Sequence, residues 1–257
     1  MQAPLLLILS ALGTLPNELY RDFRKGEFDF SVTGPGARDH ITMEPGGVRI
    51  KLPSDHHVSA PIGFSDRNSI HGDFEITVSY AELEVEEPKT TRGTGIELYV
   101  VVNSPEQEAA SLSHLRTQKG EYFYTAYRAA KGPDGKRQHK VKSAPAKGAS
   151  GKLRLTRTGS TLSYRTAGDD GEFVPIEQFA IGTSDLELVR VAMNPGGSPT
   201  AASALITDLT IRSAESPGEA SHTGFSPRAL WLVIGFSGLL LSLAVGGLLG
   251  WRWYRQR

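Results

Sequence analysis

A chain of 257 residues is long enough to bury a full hydrophobic core as one domain. Its 28 Lys and Arg balance 28 Asp and Glu, which excludes the basic footprint of a nucleic-acid binder, and the lack of cysteine removes disulfides, thiolate metal sites and cysteine nucleophiles together. The 28 glycines and 15 prolines recur between short runs of Val, Ile, Thr and Tyr, a composition of many strands and turns.

Residues 1–16 read as an export signal, since Ala3 to Leu15 (APLLLILSALGTL) is apolar and carries Ala11 and Gly13 spaced like a cleavage site, although no Lys or Arg precedes it. Residues 17–213 form the domain. Strands are expected at Val48 to Leu52, Phe74 to Tyr80, Gly95 to Val102, Tyr122 to Arg128, Lys152 to Arg157, Leu162 to Thr166, Leu186 to Met193 and Leu205 to Arg212, with Gly, Pro, Asn or Asp between most of them. The clearest is Phe74, Ile76, Val78 and Tyr80 alternating with Glu75, Thr77 and Ser79, a strand with one buried face. Asp55-His56-His57 supplies no third metal ligand, and adjacent histidines on an extended chain point to opposite faces. Glu82-Leu83-Glu84-Val85-Glu86-Glu87 resembles the alternating carboxylates of glucanases, but it lacks their central aspartate, and Leu83 and Val85 read as the buried face of an edge strand.

Further on, Tyr122, Tyr124 and Tyr127 with Arg128 form the densest aromatic segment, the candidate ligand platform. They sit in a stretch from Arg116 to Lys152 whose basic residues outnumber Glu121 and Asp134, a positive surface suited to acidic polysaccharide or anionic lipid, or else a solvated hairpin. Next comes the hairpin Leu153 to Tyr164, two alternating runs about a glycine turn at Gly159, followed by a second turn at Gly168-Asp169-Asp170-Gly171. No cofactor is expected; a calcium ion on Asp169 and Asp170 stays open, though a turn explains them as well.

A dozen short strands without βαβ alternation point to two packed antiparallel sheets, a jelly roll. The stretch LRLTRTGSTLSYRTAGDDGEFVPI (Leu153 to Ile176) resembles the hairpin of concanavalin A-like lectin and glucanase sandwiches. With LYRDFRKGEFDF, HGDFEITVSY, GTGIELYVVV and LITDLTIR, the wider pattern resembles an exported family common in planctomycete bacteria. That resemblance implies an all-β concanavalin A-like sandwich and an extracytoplasmic location. It implies no functional residues, because that family has no assigned activity.

Residues 214–228 (AESPGEASHTGFSPR) read as a short spacer. Ala229 to Gly250 then runs 22 residues without a charge, enough at about 1.5 Å each for the hydrocarbon core, so 229–251 is expected to be one transmembrane helix. Trp231 on one side and Trp251, Trp253 and Tyr254 on the other mark its interfaces, and Arg252, Arg255 and Arg257 place the tail 252–257 in the cytoplasm. Gly238, Ser242, Gly246 and Gly250 recur every four residues, a face suited to homodimer packing. The chain thus reads as a single-pass cell-membrane protein carrying a non-catalytic binding module for an envelope glycan or protein partner. A glucanase-like glycoside hydrolase and a ligand-free structural protein are the alternatives.

Overall fold

The computed structural model describes residues 15–54, 60–66, 68–90, 92–197 and 199–215. Residues 1–14 of the signal segment, the Asp55-His56-His57 run, most of the spacer, the expected span and its small-residue face at Gly238, Ser242, Gly246 and Gly250 lie outside them. Among the described residues no helix is long and apolar enough to cross a membrane.

Two antiparallel sheets make up the domain. One runs β13 (Val174–Ala180), β12 (Thr161–Ala167), β11 (Gly151–Thr158), β6 (Phe74–Val85), β15 (Ala202–Ser213), β4 (Gly47–Leu52) and β3 (Ile41–Glu44), with β1 (Asn17–Asp22) beside the later half of β15. The other runs β10 (Arg137–Pro145), β9 (Tyr122–Lys131), β8 (Ala109–Arg116), β7 (Thr94–Val102), β14 (Leu186–Asn194), β5 (Ile62–Asp66) and β2 (Ser31–Thr33).

Period-two alternation explains the layering. Ile76 and Val78 of β6 and Leu153 and Leu155 of β11 face inward from the first sheet, and Ile96, Leu98 and Val100 of β7 with Leu112 of β8 face them from the second; all are fully buried. The β11–β12 hairpin closes through Gly159 and Ser160, with Thr158 opposite Thr161. Gly159 has φ +56° while Ser160 does not enter the left-handed region, the pattern of a turn that demands glycine at its first central position. The segment LYRDFRKGEFDF folds into an aromatic cluster in which Phe23, Phe28 and Phe30 surround Phe64 with ring centroids 5.1 to 5.4 Å from it.

The Glu82–Glu87 run differs from its expected setting. Its strand, β6, is interior, held by β11 on one side and β15 on the other. Only its end passes beyond the β11 pairing, where the β15 register shifts and Glu82 takes φ +51°, a bulge. Leu83 and Val85 do face inward, while Glu82 and Glu84 are exposed and the Glu82 carboxylate accepts a hydrogen bond from Arg49.

Candidate ligand-binding face

Strand register aligns side chains across the outer face of the seven-stranded sheet. Ser65, Arg190, Tyr99, Ser111 and Tyr127 follow one another as direct partners on β5, β14, β7, β8 and β9, so all five project to the same side, away from the core. The neighbouring row is Ala192, Glu97, Ser113 and Thr125. These strands therefore bury apolar residues on one face and carry hydroxyls, two tyrosines, a guanidinium and a carboxylate on the other.

Glu97 and Arg190 form the polar centre. Glu97 is 7% exposed and Arg190 5%. The Arg190 guanidinium lies over the Tyr99 ring, 4.5 Å from its centroid, in cation–π contact. Its Nη2 is 3.9 Å from Glu97 Oε2, an ion pair too long for a hydrogen bond, and among the described residues its Nε has no acceptor. Glu97 is held just as loosely, by the Ser113 hydroxyl and the Asn194 amide, each at 3.5 Å. Burial raises the Tyr99 phenol pKa. The same cause pushes that of Tyr127 up to about 12, and both phenols stay neutral hydrogen-bonding groups at neutral pH. Tyr127 meets His139 Nδ1 at 2.7 Å, and Arg137 stands beside it.

Of the four residues expected to form a platform, only Tyr127 lies on this face. Tyr122, Tyr124 and Arg128 have the opposite parity on β9 and point to the inner side. Tyr124 is buried, with its ring 4.8 Å from that of His114, and the half-buried Tyr122 ring stands 5.4 Å from the same imidazole. Arg128 is bonded to the buried Glu108 carboxylate, which also accepts the Gly182 N–H at 2.6 Å. The structure therefore does not bring the four together. Glu97, Tyr99 and Arg190 escaped the sequence reading. The available signal was a charge in the middle of each of two apolar strands, Glu97 in TGIELYVVV and Arg190 in LELVRVAMN.

Asp169 and Asp170 lie at an exposed turn where Asp170 Oδ1 accepts the Glu172 N–H at 3.1 Å. Among the described residues no group of three or more His, Asp or Glu is placed to hold a metal ion.

Eight- and seven-stranded antiparallel sheets packed face to face make this a concanavalin A-like jelly-roll sandwich. The chain belongs to the family described as "Protein of unknown function (DUF1583) C domain", whose model matches residues 4–220. Similar solved structures include the Crh5 transglycosylase in complex with NAG, 12% identical with a TM-score of 0.54 over 79% of this chain and 86% of that one. The β-glucanase of Bacillus licheniformis is 9% identical with a TM-score of 0.50 over 76% of this chain and 98% of the glucanase. The GH43 protein BlXynB of the same organism is 10% identical at 0.53, over 76% of this chain but 39% of its own. At such identities the likeness shows the fold alone. No curated relative matches the chain.

Proposed function

We propose that this chain is a non-catalytic glycan-binding module that uses the outer face of its seven-stranded sheet, held outside the cytoplasm by the apolar segment 229–251. The observation that carries the reading is the row Arg190–Tyr99–Ser111–Tyr127 with Glu97 beside it. Aromatic rings, hydroxyls and paired charges on one sheet face suit the alternating apolar and hydroxyl faces of a sugar chain. Two of the similar folds carry the same theme in their names, a transglycosylase with NAG bound and a β-glucanase.

Binding is preferred to hydrolysis on carboxylate geometry. Glycoside cleavage uses two carboxyl groups about 5 to 9.5 Å apart. Glu97 lies opposite Ala192, and the acidic residue of β14, Glu187, is five positions along that strand, a backbone separation of about 16 Å at 3.3 Å per residue, wider than such pairs use on neighbouring strand positions. Glu82 and Glu84 lie on the other sheet. The test is a glycan array probed with the full chain and with Tyr99→Ala, Tyr127→Ala and Tyr122→Ala variants. Binding lost in the first two and kept in the third supports the face; no binding to any glycan would turn the reading toward a protein partner.

A further inference from the structure

We propose that the glycan recognised by this face is acidic, and that Arg190 is the residue that receives its carboxylate. The inference rests on the glycan-binding reading of the face. It starts from an imbalance: a guanidinium taken almost wholly out of water normally has its N–H groups matched to acceptors, because burying a charge without them is costly. Here the nearest carboxylate stands 3.9 Å away and the buried Nε has no acceptor among the described residues. The Tyr99 ring lies against the guanidinium, with its centroid 4.5 Å from the central carbon, and holds it in place. A planar carboxylate offers two oxygens at the spacing of that fork, the bidentate pairing arginine forms best, whereas a sugar hydroxyl offers one. The loose contacts of Glu97 leave its oxygens able to accept from ligand hydroxyls at the same point.

A second, independent observation is the charge beside the face. Strand β10 closes that edge of the sheet with the sequence RQHKVKSAP, which contains Arg137, His139, Lys140 and Lys142 and no acidic residue. Arg137 and His139 belong to the outer-face rows, being opposite the exposed Lys131 and opposite Ala129 respectively, whereas Lys140 and Lys142, opposite Arg128 and Ala126, have the other parity. A polyanion lying across β7, β8 and β9 would therefore reach the cations Arg137 and Lys131 at that edge, and a neutral chain would gain nothing from them.

The experiment is calorimetric titration of the full chain, in mild detergent, with a galacturonic acid hexamer, with the same hexamer fully methyl-esterified, and with a neutral glucose hexamer. The expected result is that the acid binds at least tenfold more tightly than its ester. Arg190→Gln should weaken acid binding about ten- to hundredfold, the range for a charge-assisted hydrogen-bonded pair, and Arg190→Lys should restore only part of it. Arg165→Gln, at an exposed position of β12 in the other sheet, removes one positive charge and should leave acid binding unchanged; an equal loss there would reveal a general charge effect and overturn the role of Arg190. Should Arg190→Gln fail to fold, the comparison of acid and ester on the wild type still decides. Equal binding of the two hexamers would overturn the inference and leave the glycan reading standing. Binding of the neutral hexamer alone would do the same, and no binding of any of the three would overturn both.

Discussion

Acid should weaken this fold through one histidine. His114 is fully buried on the inner side of β8, with Nδ1 2.6 Å from the Tyr80 hydroxyl, and its Nε2 has no partner among the described residues. Burial lowers its pKa from 6.5 to about 4. The unfolded chain therefore takes up a proton first as pH falls. The corresponding stability is present above pH 6.5, is lost as pH falls toward 4, and declines no further below that. A shift of this size is worth about 3 kcal/mol in full, of which about 2 kcal/mol should be gone at pH 5. Urea unfolding followed by far-ultraviolet circular dichroism, at pH 7 and pH 5, measures it. Carboxylates also titrate in that range, so the quantity to read is the difference between the wild type and His114→Gln, which keeps a polar group but cannot charge. The wild type should lose about 2 kcal/mol more than the variant between the two pH values. Equal losses would refute the reasoning, because they would mean that the imidazole is hydrated or charged in the folded protein.

Arg157→Met should cost about 3 to 5 kcal/mol in the same urea assay. The guanidinium is 1% exposed and donates to the carbonyls of Gly72, Gly182 and Ser184, which the variant would leave unmatched; a loss below 1 kcal/mol would show that water replaces it. Alkaline carbonate washing of membranes should retain the full chain and release one ending at Ser213, and release of both would remove the anchor assigned to 229–251.

Strands with strong alternation and a buried apolar set, such as β6, β11, β12 and β15, were legible in the sequence. Others were not. In β8 the outward residues are Ser111 and Ser113 and one inward residue is His114, so apolar alternation is diluted although the strand is interior. Strand β10 is a lysine-bearing edge with few apolar residues to bury, and β13 is an edge interrupted by Pro175. The site was harder for a different reason. Parity states that Tyr122 and Tyr124 share a face and that Tyr127 does not, but it does not say which face is the core. Pairing with β8 decides it, because Tyr124 falls opposite His114 and Tyr127 opposite Ser111. Glu97 and Arg190 become neighbours only through the register of β7 with β14, strands far apart in sequence.

Strand β15 also governs the order in which the domain can form. It is the last strand of the sandwich, yet it lies in the middle of the eight-stranded sheet: β6 flanks it on one side, and β4 and then β1 flank it on the other. Until Ser213 has left the ribosome, β4 and β6 have nothing between them, and β1 has no partner strand at all. Pairings that join the two ends of a chain are entropically costly and form late. A nascent chain of this design cannot complete its eight-stranded sheet until the final strand arrives to fill the gap.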